Sequence, residues 1–126
     1  MSWQTHESEH VNAPLKTIAN ARPEMLMTLE HVVLLPVLCP VSQNPAQGST
    51  LTIGYAAGAR ILELFALEAY IAAYSGHTLV RDMEYFVQTV GRECAKALGC
   101  NVHLCGEIVY AGLAQRQKIS VTALPF

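Results

Sequence analysis

Met25-Leu26-Met27-Thr28-Leu29-Glu30-His31-Val32-Val33-Leu34-Leu35-Pro36-Val37-Leu38-Cys39-Pro40 is the stretch on which the fold turns. Met25, Met27, Leu29 and His31 share one parity, and the run then thickens to Val32, Val33, Leu34 and Leu35. Alternation that gives way to a continuous apolar run predicts a long strand, about 25–38, buried on both faces near its end. Cys39-Pro40 stops it, because proline has no N–H to give to a ladder. Ser42, Gln43, Asn44, Pro45, Gln47, Gly48 and Ser49 then make a turn-rich connection, after which Thr50 to Tyr55 alternates again. The two strands form a hairpin with Cys39 at its loop end.

Downstream the period changes. Leu62, Phe65, Ala66, Ala69 and Ala73 recur at helical spacing and Ser75-Gly76 supplies a stop, which predicts a helix over about 63–75. A second helix over about 81–98 follows from the stripe Met83, Phe86, Val87, Val90, Cys94, Ala97 and Leu98, with Arg92, Glu93 and Lys96 outside it and Gly99 at its end. Val102 to Tyr110 and Lys118 to Leu124 suit two more strands. The order is ββααββ, an α+β fold whose antiparallel sheet carries both helices on one face. Its other face needs a cover, and a second copy of the chain is the simplest one, so a homo-oligomer is expected.

Upstream, residues 1–22 include His6, Glu7, Glu9, His10, Asn12 and Pro14 without a sustained period, and read as a loose polar arm. Residues 23–126 then form a single domain. At 126 residues, 52% hydrophobic and 14% charged, the chain is far from the disordered class and short of polar surface for a monomer. A net charge of −2 without any basic run excludes an electrostatic footprint for nucleic acid and favours a small-molecule partner. Val32 to Leu38 is too short, and is broken by Pro36, to cross a membrane. Met1 to Glu7 has neither a basic start nor an apolar core, so a cytoplasmic location is expected.

In that setting Cys39, Cys94, Cys100 and Cys105 read as free thiols. His103 lies between the last two, but the spacing has no paired short knuckle, and small buried hydrophobes are the better reading than a metal site. Cys39 differs from the rest, since it stands at the mouth of a polar loop, where a neighbour that lowers its pKa makes a thiol nucleophilic. Glu63, Asp82 and Glu84 open helices, where a carboxylate is stabilised by the helix end. A carboxylate there also suits the paired N–H donors of a purine-like ring. His77 lies in the link between the helices.

Val37-Leu38-Cys39-Pro40, the Pro45 loop, the helix start from Glu63 to Tyr70, and the later Gly106, Arg116 and Ile119-Ser120-Val121 resemble the 7-cyano-7-deazaguanine (nitrile) reductases of queuosine-type 7-deazaguanine metabolism. The likeness spans about residues 25–124. It implies the tunnelling fold, in which ββααββ units join into a barrel and bind purine or pterin rings at subunit interfaces. It implies Cys39 as the nucleophile that forms a thioimide with a nitrile, and an NADPH-dependent oxidoreductase activity. Glu63 would be a ring anchor, Asp82 or Glu84 the second carboxylate, His77 a further substrate contact and Arg116 a cofactor contact. The sequence departs from the pattern at Ala46, where the family has its proton-donating Asp, and at Phe65, where it has a Lys. A non-reducing course, similar to that of the amidinotransferases, and a non-catalytic purine- or pterin-binding scaffold are the alternatives.

Overall fold

The computed structural model describes residues 8–126. In chain order it has strands β1 (Thr17–Ala19), β2 (Thr28–Leu34), β3 (Thr50–Ala56) and β4 (Arg60–Leu62), helices α1 (Leu64–Ala72) and α2 (Met83–Leu98), and strands β5 (Val102–Val109) and β6 (Arg116–Ala123). Strands β2, β3, β5 and β6 form one antiparallel sheet in the order β2-β3-β5-β6. The α+β class and the order of the principal elements therefore stand as expected.

Period two divides the sheet. Val33, Leu51, Ile53, Tyr55, Val102, Leu104 and Ile108 are buried on one face, and the stripe Met83, Phe86, Val87, Val90, Cys94 and Leu98 of α2 is buried with them in one core. Each such side chain contributes roughly 1.5–3 kcal/mol by leaving water. The helix comes close because Gly91 has no side chain: a Cβ there would stand 2.7 Å from Leu104 Cδ1 and 3.3 Å from Ala123 Cβ. Gly99 ends α2 at φ 70°, a left-handed conformation that suits glycine. Helix α1 adds Leu67, Tyr70 and Ile71 to the same core.

Two expectations are corrected. The first strand is shorter than 25–38 and is buried on one face only, with Val32 64% and Leu34 77% exposed. The helices cover one side of the sheet, and residues of the other parity face away from them. That open face carries the cross-strand rows Glu30, Gly54, His103, Thr122 and Val32, Thr52, Cys105, Ser120.

The amino-terminal arm is the second correction, since its described part is not loose. Thr17, Ile18 and Ala19 pair with Leu62, Ile61 and Arg60 in a separate two-stranded sheet. Asn20 Nδ2 donates to the Gly58 carbonyl at 2.8 Å, and Arg60 donates to Thr17 Oγ1 at 3.0 Å. Residues 8–15 cross the outer surface of the helices, with Val11 and Leu15 partly buried against the core. These contacts span 38 residues or more, so no local period announces them. His6 and Glu7 lie outside the described residues.

The ends of the sheet differ. The loop between β2 and β3 is held by Cys39 N–H on the Asn44 carbonyl at 2.9 Å, Ala46 N–H on the Val109 carbonyl at 2.8 Å and Ala111 N–H on Asn44 Oδ1 at 2.6 Å. The peptide Asn44-Pro45 is cis. Gly76 N–H donates to the Leu38 carbonyl at 2.7 Å, which brings the end of α1 against this loop. Glu63 follows β4 at the opposite end of β3, on the order of 20 Å away along a strand of that length.

Candidate functional site

A cleft of about 230 Å³ opens where the β2–β3 loop meets the link between the helices. Cys39, Pro40 and Val41 form one wall, and Gly76, His77, Thr78 and Arg81 form the other. Cys39 is partly exposed there. Its thiol is lowered to about 7 by the Ser42 hydroxyl first, then by the backbone N–H groups of Ser42 and Val41, with Arg81 adding positive charge. The chain turns back on itself after Pro40, so donors from Val41 and Ser42 reach the sulfur. Close to neutral pH about half of such a group is thiolate.

The other cysteines are different. Burial pushes Cys94 up to about 12 and raises Cys100. Cys105 and His103 stand on the open face of the sheet, where His103 Nδ1 meets Thr122 Oγ1 at 3.1 Å. Among the described residues no three of His, Cys, Asp and Glu are grouped to hold a metal ion.

The carboxylates are engaged at helix ends. Glu63 accepts from the N–H groups of Phe65 at 2.7 Å and Ala66 at 3.1 Å, capping α1. Asp82 caps α2 by accepting from Tyr85 N–H at 2.7 Å. Glu84, in the first turn of α2, accepts from Gln117 Nε2 at 2.9 Å, and that bond holds its pKa below the usual carboxylate value. Asp82 and Glu84 therefore lie at the Cys39 end of the molecule, and Glu63 does not.

His77 lines the cleft, yet both ring nitrogens are spoken for. Nδ1 accepts from the N–H groups of Leu79 and Val80, each at 3.0 Å, which fixes the tautomer and leaves Nε2 to donate to the His10 carbonyl at 3.2 Å. The ring lines the cleft and shapes its wall through these backbone bonds.

Arg116 opens β6 instead of preceding a strand, and lies in a second cleft of about 340 Å³ with Gly48, Glu107 and Lys118. Ala46 is tied by its backbone to Val109 and Ser49, and Phe65 is 82% exposed at the start of α1.

Structure thus joins Cys39 and His77 in one cleft, sets Asp82 and Glu84 nearby on α2, and leaves Glu63 and Arg116 outside it. Ser42 and Arg81 are the partners that sequence reasoning passed over. Ser42 carried a signal, since it follows a Cys-Pro turn by two residues; Arg81 carried none. Family models match no part of the chain, and no curated protein matches it.

Proposed function

We propose that this chain is a divergent, cytoplasmic relative of the 7-cyano-7-deazaguanine reductases that captures a nitrile-bearing, purine-like heterocycle on Cys39. The observation that carries the reading is the partly exposed Cys39 thiol, lowered to about 7 and open to a cleft. The thiolate adds to the nitrile carbon, a C–S bond forms, and the freed π pair on nitrogen takes a proton to give the thioimide. Nothing leaves, so the adduct carries the whole mass of the ligand.

A cleft of about 230 Å³ is smaller than the usual 300–1,000 Å³ of small-molecule sites. Cys39 and Glu63 also stand at opposite ends of β3. Both facts favour a site completed by a second copy, as in a tunnelling-fold barrel, with Cys39 and Asp82 or Glu84 from one protomer and Glu63 from its neighbour. The free edges β2 and β6 and the open sheet face leave room for such a ring.

NADPH fits this chain poorly. Phe65 offers an aromatic ring where the resemblance implies a phosphate-binding Lys, and Arg116 sits in a different cleft from Cys39. No hydride step is assigned. A non-reducing amidinotransferase-like course is compatible with that deficit, while Ala46, which offers no acid, favours a non-catalytic scaffold.

Intact-mass measurement after incubation with 7-cyano-7-deazaguanine tests the reading. An adduct of full ligand mass, absent in Cys39→Ala, is the expected result. Binding without an adduct selects the scaffold.

A further inference from the structure

The arm reaches the outer surface of the helices by polar latches. The Glu9 carboxylate accepts from Tyr85 Oη and pairs with Arg92, and those two bonds lower its pKa ahead of all other influences. One residue on, the His10 carbonyl accepts from His77 Nε2 at 3.2 Å. Between these latches the arm and the helices enclose a groove of about 1220 Å³ lined by Tyr70, Tyr74, Tyr85 and Lys96, so the arm is not packed down as a core element would be. A segment held by a few partly exposed hydrogen bonds and two partly buried side chains, Val11 and Leu15, beside an open groove belongs to the more readily released part of a fold.

The second latch leads straight to the cleft. His77 holds the arm through Nε2, while its Nδ1 gathers the N–H groups of Leu79 and Val80. Those residues lie between the cleft-lining Thr78 and Arg81. Gly76, the residue before His77, is bonded to the Leu38 carbonyl beside Cys39. Arm, imidazole, inter-helix link and nucleophile are thus joined by successive hydrogen bonds.

We infer that residues 8–15 are a strap which, through His77 as a positioning residue, orders the wall facing Cys39 and so tunes how well that site holds its ligand. The inference rests on the reading of Cys39 as the nucleophile, and concerns regulation of that same site. With the strap docked, the wall is pre-organised and the ligand meets a formed surface. With it released, His77 loses its acceptor, the link from 76 to 81 loosens, and the ligand must order it on binding. The thiol keeps its own turn, since Ser42 and the Ser42 and Val41 N–H groups do not pass through His77.

Glu9→Lys in the full chain tests this, because it sets a cation against Arg92 and Lys96 and removes the acceptor for Tyr85. Hydrogen exchange of the Leu79 and Val80 amides reads the coupling without any ligand, and should quicken about fivefold as the latch is lost. The concentration of 7-cyano-7-deazaguanine giving half-maximal adduct rate should rise by a similar factor, while the rate of Cys39 alkylation by iodoacetamide, which does not need the wall, stays the same. His77→Asn, whose Oδ1 can replace Nδ1 toward the two amides but cannot reach His10, cuts the second latch alone and should quicken those amides and weaken ligand capture in the same direction as Glu9→Lys. Unchanged amide exchange in Glu9→Lys overturns the coupling, as does ligand capture equal to that of the parent chain. Absence of any nitrile adduct in the parent chain, with the amide response intact, instead sinks the thioimide reading and leaves the strap standing.

Discussion

His31 and Tyr55 meet diagonally across β2 and β3, one register pair apart on the same face, rings stacked at 5.6 Å between centroids, with His31 Nε2 3.0 Å from the Tyr55 hydroxyl. That hydroxyl already accepts from Leu62 N–H at 2.9 Å, so its own proton is available for the imidazole. One phenol thereby ties the sheet to β4 and, through β4, to the arm.

Burial holds His31 below its ordinary pKa, so the folded chain resists a proton that the unfolded chain takes readily. The sign follows: this contribution is fully present above about pH 6.5 and is lost as pH falls through that value toward the lower folded pKa. Urea melts from pH 7.5 to 5 should show stability declining faster in the parent chain than in His31→Gln. Parallel declines would mean that His31 is not the group responsible.

Alkylation should separate the thiols. Cys39 should label with a pH midpoint near 7, and Cys94, buried and raised to about 12, should stay unlabelled in the folded chain. Ser42→Ala removes the leading cause of the Cys39 shift, so its midpoint should move upward. Peptide mapping in which Cys94 labels as fast as Cys39, or a midpoint unmoved by Ser42→Ala, would count against this account of the turn.

Gly91 sets how closely α2 lies on β5 and β6. Gly91→Val would force its side chain into Leu104 and Ala123, at a cost of about 1–3 kcal/mol despite valine's better helix propensity. Equilibrium denaturation should show the loss. A stability equal to the parent's would show that the interface relaxes more easily than these distances imply.

Much of this architecture was legible because period is a local property. Thr50 to Tyr55 and Met83 to Leu98 each present an apolar face within their own stretch, and the structure places both near the expected bounds. Strand β1 was not legible, because Thr17-Ile18-Ala19 is too short to show a period and gains its partner from residues 60–62. At the site, Cys39 stood out through Pro40 and the loop. Arg81 did not, because its place beside Cys39 depends on α1 turning back over the sheet. His77 was visible as a polar residue in a link, but its commitment to Leu79, Val80 and His10 belongs to the three-dimensional fold.

NADPH should bind weakly, and reduction of 7-cyano-7-deazaguanine to the amine should be slow or undetectable. Phe65 gives a phosphate no donor, and Ala46 supplies no acid for the proton that must accompany each hydride. NADPH absorbance, followed with the nitrile present, measures this directly. Turnover at about 1 s⁻¹ or faster would overturn it and place both functions on other residues.

The last prediction separates a site within one chain from a site between chains. Light scattering should first give a mass above the 13.7 kDa of a single copy. On the proposed reading Cys39→Ala lacks the proposed nucleophile, and Glu63→Gln weakens the proposed ring anchor along with the cap of α1, so neither variant alone should form much adduct. If the two residues serve one ligand within a chain, no mixture of the variants can contain both. If they meet across an interface, the Cys39 of a Glu63→Gln chain can face the intact Glu63 of a Cys39→Ala chain, and random mixing makes about one quarter of the sites complete. Unfolding and refolding the two variants together should therefore restore adduct to that fraction, all of it on the Glu63→Gln chain, whose mass differs from that of the other. A mixture as inactive as its components, from an oligomer shown to have exchanged subunits, would remove Glu63 from the Cys39 site.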